Sequence, residues 1–410
     1  MPTSLANSIR TRLAAAAVLA LWPGHAPAQM QHQHGGEAAC SEPALHCATK
    51  VTPAFAADGT LWLAWMAGGR ISVASSRDAG KSFSAAAQAT PEALNLDWGP
   101  DARPKIAIDA EGGIALAFSI FKDKAFNGQV LTTRSLDGGK SFAGARPITA
   151  SNESQRFEAI GFDGNGELFA VWLDKRNRVQ AREAGRKYEG AALFFATSND
   201  GGVAWPEARM AAENTCECCR IALAFDPSNR PVAMFRNIFG DGVRDHAVIA
   251  FADVATPGEP RRVSEDDWRI AACPHHGPSL AISRDGTYHA TWFTNGKVRK
   301  GLFYAYSRDG GQTFSAPLAI GDPKRAPSRP YVLAAAKRLA MVWKEFDGER
   351  TTVRLMTSAD DGRSWAQPRT IAETADASDH PLLVTDGRRS YLSWMTKADG
   401  YRFIPIEDES

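Results

Sequence analysis

The octapeptide Ser307-Arg308-Asp309-Gly310-Gly311-Gln312-Thr313-Phe314 is the stretch of this sequence that says most about its fold. Its pattern, S-x-D-x-G-x-(S/T)-(F/W), recurs four times, once in a looser form that ends at Trp205. Aspartate and glycine at these offsets are typical of a tight hairpin, because aspartate accepts hydrogen bonds from nearby backbone N–H groups and glycine adopts positive φ. The five copies lie at residues 76–83, 135–142, 198–205, 307–314 and 358–365.

A second feature recurs at a similar interval. A turn signal, in most copies with Gly or Asn, is followed by an alternating apolar run that ends in an aromatic residue. Successive aromatic residues are 51 to 63 positions apart. Short alternating runs at this interval predict an all-β repeat. The seven aromatic residues are Trp65, Phe118, Trp172, Phe235, Trp292, Trp343 and Trp394.

Each repeat has room for about four short strands, and such a sheet cannot bury both of its faces alone. Neighbouring sheets must therefore stack, and closure into a ring protects the strand edges. We predict an all-β fold, a seven-bladed β-propeller of four-stranded antiparallel blades over residues 50–408. A six-bladed ring with an extra terminal sheet is the alternative. Because the last repeat is one strand short, we expect the segment before Thr49 to supply a closing strand.

The octapeptide resembles the Asp box, or BNR repeat, of the sialidase-like propellers, and the resemblance covers residues 50–406. It implies the propeller fold and carries little information about activity, because in that family the boxes lie on the face opposite the active site. The resemblance therefore implies a structural role for the aspartates of the five copies, which are Asp78, Asp137, Asp200, Asp309 and Asp360.

Composition and the N-terminal segment bear on location and partners. The 410 residues include 47 Lys plus Arg and 46 Asp plus Glu, a balance that gives no electrostatic reason to bind nucleic acid. Residues 1–28 combine two arginines, a short apolar run and an A-x-A ending, as in a secretory signal peptide. We expect an exported protein, periplasmic or secreted, without a membrane span. Residues 29–49 should be a flexible segment in which His32 and His34 weakly collect metal.

Basic residues precede or begin most of the predicted innermost strands, so they should surround the central mouth of the ring. Such a ring suits an anionic ligand, because arginine binds carboxylates with two parallel hydrogen bonds. The alternative is that these residues form ordinary ion pairs. The set is Arg103, Arg156, Arg220, His276, Arg329 and His380, with Asp174, Arg236 and Glu345 at the ends of second strands.

The family resemblance also implies candidate catalytic residues. Sialidases bind the substrate carboxylate through three arginines and use a tyrosine nucleophile with an aspartate acid/base. On this pattern Arg236 and Arg329 are the candidate arginines, Tyr331 is the candidate nucleophile, and Asp97 or Asp101 is the acid/base. The sequence departs from the family where its activating glutamate would lie, because Cys219-Arg220 stands there. The family's N-terminal arginine motif is also missing.

Two cysteine-containing loops precede the first strands of adjacent repeats, so the ring should bring them together. They are Cys216-Glu217-Cys218-Cys219 and Cys273-Pro274-His275-His276. One interpretation is disulfide bonding, since six cysteines in an exported chain allow full pairing and Cys40 with Cys47 would staple the N-terminal segment. The other is a soft-metal site for copper or zinc with Cys216, Cys218, Cys219, Cys273, His275 and His276 as ligands.

These observations favour an exported propeller that acts as a binding protein, with the Cys/His site at the propeller mouth. The alternative is an exo-α-sialidase or related glycoside hydrolase that acts on anionic sugars. The ligand is accordingly a metal ion, a small molecule or a glycan, and a protein partner remains open.

Overall fold

Seven antiparallel sheets form a closed seven-bladed β-propeller, which confirms the predicted fold class. The computed structural model describes residues 40, 42–272, 274–335 and 338–407. The predicted signal peptide and the histidines at positions 32 and 34 therefore lie outside the described residues. The strands run from Lys50 to Pro405. No helix in the described part of the chain is long and apolar enough to cross a bilayer.

Within each blade the strands pair in sequence order, with the first strand innermost. The strands of blades 1 to 3 are β1 Lys50–Phe55, β2 Leu61–Ala67, β3 Arg70–Ser76, β4 Ala87–Gln88, β5 Lys105–Ile108, β6 Ile114–Phe121, β7 Gly128–Ser135, β8 Arg146–Pro147, β9 Gln155–Phe162, β10 Leu168–Asp174, β11 Ala191–Ser198 and β12 Arg209–Thr215. A single α-helix among the described residues, α1 Arg176–Glu183, lies between β10 and β11.

Blade 4 has an outer edge in two pieces, both of which pair with its third strand. The strands of blades 4 to 7 are β13 Ala222–Phe225, β14 Pro231–Arg236, β15 His246–Asp253, β16 Thr256–Pro257, β17 Arg261–Arg262, β18 Ser279–Ile282, β19 Tyr288–Asn295, β20 Lys300–Ser307, β21 Leu318–Ile320, β22 Ser328–Ala335, β23 Arg338–Phe346, β24 Thr351–Ser358, β25 Arg369–Thr374, β26 Leu382–Thr385, β27 Ser390–Thr396 and β28 Gly400–Pro405. Short 3-10 turns occupy Leu45–Cys47, Gly240–Gly242 and Pro323–Arg325.

Among the described residues, blade 7 has three strands, and the residues just before Lys50 form the 3-10 turn Leu45–Cys47, which packs against β28 and β2. They contain no closing strand, and residues 29–39 and 41, the rest of the segment for which that strand was predicted, lie outside the described residues. Closure comes instead from packing of β1 against β26 and β27. The predicted Cys40–Cys47 disulfide is present, with a Cα–Cα distance of 5.4 Å, and it fixes the turn.

The predicted repeat aromatics form the centre of every blade. All seven are buried, each with at most 1% of its surface exposed. Several tryptophans also satisfy their indole N–H inside the core: Trp343 donates to Glu345 (2.8 Å) and Trp172 to Asp174 (3.2 Å). Asp174 and Glu345, which the sequence places at the ends of second strands, thus accept hydrogen bonds from buried tryptophans of their own blades.

The repeated octapeptide behaves as the hairpin analysis predicts. In blade 5 the Asp309 carboxylate accepts from the backbone N–H of Thr313 (2.9 Å) and from its hydroxyl (2.5 Å), and Ser307 donates to the same carboxylate (2.7 Å). Gly311 has φ +82°, and a Cβ there would approach Val248 to 3.0 Å. Because first strands start at the mouth, these third-to-fourth-strand hairpins lie on the opposite face.

Trp343 provides a test of the blade core. We expect Trp343→Ala to lower the free energy of unfolding by about 3–5 kcal/mol, because it removes a large buried ring. Trp343→Phe should cost less, about 1–3 kcal/mol, mostly by leaving the buried Glu345 carboxylate without one donor. Urea denaturation measures both values, and Leu136→Ala at an exposed position is the control, with a change within about 0.5 kcal/mol. Equal effects of Trp343→Ala and the control would contradict this assignment.

Candidate functional site

All seven blades contribute to a narrow cavity on the propeller axis, below the mouth where the first strands begin. We call it the axial cavity, and its volume is about 200 Å³. Its wall is mostly the innermost strands, so that polar and charged side chains of different blades face one another across a short distance. Lining residues that matter here are Thr52, Arg103, Lys105, Arg220, Ser279, Arg329, Tyr331 and His380.

Asp101 connects four blades at the mouth. It precedes the first strand of blade 2, and its buried carboxylate accepts from Arg220 Nη1 (3.1 Å) of blade 4, from the backbone N–H of Gly277 (2.9 Å) of blade 5 and from Arg329 Nη1 (2.8 Å) of blade 6. Burial by itself raises the pKa of Asp101, but Arg329 and Arg220 outweigh it and hold the pKa at about 2. Asp101 is therefore ionised at neutral pH and is a poor proton donor.

Two further buried carboxylates pair with the other mouth arginines. Asp379 accepts from Arg103 Nη2 (2.6 Å) and from the backbone N–H of Val51 (3.2 Å), which ties blade 7 to blades 1 and 2. Asp97 accepts from Arg156 Nε (2.6 Å), which ties blade 2 to blade 3. Of the two interpretations of the mouth arginines, the structure favours ion pairing for these side chains.

The predicted catalytic arginine Arg236 is buried in a structural role. Its guanidinium donates to the carbonyl oxygens of Arg244 (2.9 Å), His276 (3.0 Å) and Phe293 (3.1 Å) and lies over the Trp268 ring at 4.3 Å. These contacts fix the loop that carries His276. With its N–H groups engaged in this way, Arg236 is poorly placed to bind a substrate carboxylate.

Arg329 and Tyr331 do lie at the axial cavity. Arg329 adopts a positive φ of +57° and donates to the Asp101 carboxylate and to the His275 carbonyl oxygen. Burial raises the pKa of the Tyr331 phenol, and the nearby Arg103 and Arg220 oppose that rise. The nearby charges that act on this phenol are thus cationic, whereas a sialidase nucleophile is paired with a glutamate. The four predicted catalytic residues do not form an acid–nucleophile pair here.

Three cysteine sulfurs form a buried cluster just before the first strand of blade 4. The Sγ atoms of Cys216, Cys218 and Cys219 all lie within 4.8 Å of one another, and each residue is at most 2% exposed. The backbone N–H of Cys216 donates to the Arg236 carbonyl (2.9 Å), which anchors the loop to β14. Arg244 Nη1 lies 3.4 Å from Cys216 Sγ.

The thiols differ in acidity because they act on one another. Hydrogen bonds from Cys218 and Cys219 lower the pKa of Cys216 well below its usual range, against the effect of burial, with smaller contributions from Arg236 and Arg244. Burial raises the pKa of Cys219 to about 11. The cluster therefore favours a thiolate at Cys216 and a thiol at Cys219.

The loop that precedes blade 5 comes to the same side of the mouth. Gly277 packs directly against Arg220 and shares Asp101 with it, and Cys219 is among the groups that act electrostatically on His275 and His276. The His276 ring stacks on Phe293 at 4.3 Å, and burial lowers the pKa of His276 to about 3, so the imidazole is neutral. Cys273 lies outside the described residues. The predicted convergence of the two loops is thus present, with the thiols clustered and the histidines beside them.

Sequence reasoning missed several groups at this site. His246, on β15 opposite Arg236, is buried, and burial lowers its pKa well below the usual range. Lys50 and Lys105 begin the first strands of blades 1 and 2, and Lys344 lies near the end of the second strand of blade 6. The sequence did show a basic residue within each of these strands, which are otherwise rich in small and apolar residues. Their meeting around one axis follows only from the closed ring.

No protein-family model matches the chain, and no curated protein sequence matches it significantly. Solved structures do. An ulvan lyase of a new polysaccharide lyase family is 11% identical, with 87% of this chain and 93% of that chain covered and a TM-score of 0.59. A Hadza microbial sialidase is 13% identical, with 85% and 76% covered and a TM-score of 0.51. The α-L-arabinofuranosidase of Fusarium graminearum is 13% identical, with 88% and 93% covered and a TM-score of 0.52.

Similarity at this level of identity concerns the fold alone. The chain has the propeller fold that sialidases and other carbohydrate-active enzymes use, which agrees with the expected resemblance at the level of architecture.

The network around Asp101 yields a stability prediction. We expect Asp101→Asn to lower the free energy of unfolding by about 3–5 kcal/mol, because it leaves Arg220 and Arg329 partly buried without their counter-charge. Denaturant unfolding measures the change, and Asp241→Asn at an exposed position is the matched control. A change as small as that of the control would show that the two arginines are solvated rather than held by Asp101.

Proposed function

We propose that this protein is a binding protein for a soft metal ion, copper(I), which it holds through Cys216, Cys218 and Cys219. The observation that carries the proposal is the buried cluster of three cysteine sulfurs within 4.8 Å of one another. Thiolates select copper(I) among the common metal ions, and three of them suit its low coordination number. A disulfide bond that fixed this loop would not require three neighbouring sulfurs.

The surroundings of the cluster support a thiolate ligand set. Cys216 is predisposed to ionise, and Arg244 and Arg236 supply positive charge beside it. His275 and His276 flank the cluster as neutral imidazoles, which are borderline donors for copper or zinc. Zinc would need a fourth ligand from this flanking set or from Cys273, since structural zinc sites are four-coordinate. Copper(I) is therefore the metal that the described thiols fit best.

Several expectations from the sequence belong to the same proposal. Residues 1–28 would direct export, so the protein would work in the periplasm or outside the cell. His32 and His34 would collect metal weakly ahead of the thiol cluster. Membership of the Asp-box, or BNR-repeat, group is supported by the hydrogen bonds around Asp309 and its counterparts.

Copper(I) titration tests the proposal. The reduced full chain should bind one equivalent of copper(I) in competition with a chromogenic chelator, and Cys216→Ser, Cys218→Ser or Cys219→Ser should each weaken binding by about tenfold or more. The control is the double variant Cys40→Ser with Cys47→Ser, which removes two cysteines outside the site and should leave the affinity unchanged.

Thiol counting separates this proposal from disulfide bonding. Denatured protein purified without reductant should show free or metal-protected thiols from the cluster. If every cysteine proves to be oxidised and elemental analysis finds no copper or zinc, the copper(I) proposal is wrong.

A glycan is the second candidate ligand. Trp98, about half exposed, and Phe126 flank Phe121 at ring distances of 6.3 and 5.2 Å, and Arg156 lies over Phe121 at 5.0 Å. Exposed aromatic rings beside a cation at the mouth offer a surface on which a sugar can stack. Carbohydrate-active proteins that share the fold support a glycan as the ligand. Exo-α-sialidase activity is the most specific version of this hypothesis.

A fluorogenic sialic acid glycoside tests for exo-α-sialidase activity. We expect no release of fluorophore above the uncatalysed rate, because Arg236 is engaged with carbonyl groups and Asp101 is ionised. Release that Tyr331→Phe abolishes and that Trp98→Phe preserves would instead establish a glycosidase.

A further inference from the structure

The axial cavity and its rim carry more positive than negative charge. Seven basic side chains lie in or beside the cavity, and four carboxylates lie among them. The neighbouring His276 and His380 add no charge at neutral pH, because burial lowers the pKa of each. The basic residues are Lys50, Arg103, Lys105, Arg156, Arg220, Arg329 and Lys344, and the carboxylates are Asp97, Asp101, Glu158 and Asp379.

The excess positive charge is shared between the lysines and one arginine, because Asp101 pairs with both Arg220 and Arg329. Asp97, Asp101 and Asp379 are already bound by mouth arginines, whereas the Lys50 and Lys105 ammonium groups have no hydrogen bond or salt bridge within the described ranges. Glu158 is the carboxylate that acts most strongly on Lys105, but it accepts its hydrogen bond from Ser119 (2.5 Å).

Lys344 is held by neutral acceptors. Its ammonium donates to the carbonyl oxygens of Ser378 (3.1 Å) and Asp379 (3.4 Å), which position it without neutralising it. Asp379 is the charge that acts most strongly on both Lys50 and Lys344, but its carboxylate already pairs with Arg103, so three cations share one carboxylate. Lys50 and Lys344 also act on each other, and such like charges favour a further counter-ion.

Neutral hydrogen-bond donors line the same space. Ser279 Oγ accepts from the backbone N–H of Val332 (3.1 Å), which leaves its hydroxyl proton for another acceptor, and Tyr331 also faces the cavity. At about 200 Å³ the cavity is smaller than the roughly 300–1,000 Å³ of sites for drug-sized ligands. It has room for a small ion and not for an oligosaccharide.

We propose that the axial cavity binds a small dianionic oxyanion, with Lys50 and Lys105 as its charged ligands and Lys344 beside them. This site is separate from the thiol cluster and does not depend on the copper proposal. The bound anion would supply the negative charge that the four carboxylates lack, and it would join blades 1, 2 and 6 at the axis.

The lysine acidities are consistent with this site. Burial lowers the pKa of Lys105 and of Lys344 to about 8, so in the anion-free protein their charged forms are disfavoured. A ligand that offsets this cost binds the folded chain and not the unfolded one, so it should raise the unfolding temperature.

Calorimetry and thermal unfolding of the full chain test the proposal with sulfate, phosphate and succinate, each against chloride at matched ionic strength. At least one of the three should bind with one site per chain and raise the unfolding temperature, and the preferred probe separates an inorganic from a dicarboxylate ligand. Lys50→Met and Lys105→Met should each weaken binding by about tenfold or more, because each removes a charge-assisted hydrogen bond. Lys140→Met, at an exposed hairpin position, is the control and should bind as the original chain does.

A second measurement guards against a merely structural effect. Because Lys50→Met and Lys105→Met remove ligands of the anion, both variants should lose the rise in unfolding temperature that the anion causes, whatever their unfolding temperature in chloride. Absence of binding by all three anions would overturn the proposal. Binding that survives both substitutions would overturn it as well.

Discussion

Three buried carboxylates at the mouth hold the blades of this propeller in a ring. Asp97 joins blade 2 to blade 3, Asp101 joins blade 2 to blades 4, 5 and 6, and Asp379 joins blade 7 to blades 1 and 2. Each binds arginine guanidinium groups or backbone N–H groups that the inner strands present. Because a buried carboxylate is stable only when it is fully paired, these contacts fix the positions of the first strands and of the loops that precede them.

The thiol cluster depends on this arrangement. Asp101 holds Arg220, the residue after Cys219, and Gly277, the residue after His276, at one point. Arg236 then fastens the second loop through the His276 carbonyl and the first through its own carbonyl, which accepts from Cys216. Arg236, which resembles a catalytic arginine of sialidases in sequence, thus positions the two cysteine-containing loops, and a shared fold carries no information about chemistry.

The sequence predicted the fold well because its signals are local. An aromatic at the end of an alternating strand and an aspartate within a hairpin act within one blade, so Trp343 and Asp309 have the roles that their spacing indicates. The sequence did not show that β1 would pack against β26 and β27, because that contact joins the two ends of the chain. The mouth arginines were ambiguous because their partners come from other blades.

The sequence by itself determined the blade number, the hairpin chemistry and the nearness of the two cysteine-containing loops, since each follows from spacing along the chain and from the ring that the spacing imposes. Only the tertiary structure decided which charges cancel. Asp101 and Arg329 are 228 positions apart and meet across the axis, whereas Lys50 and Lys105 begin inner strands of neighbouring blades and have no hydrogen bond or salt bridge among the described residues. Electrostatic compensation depends on distances across the ring, and no pattern along the chain encodes those distances.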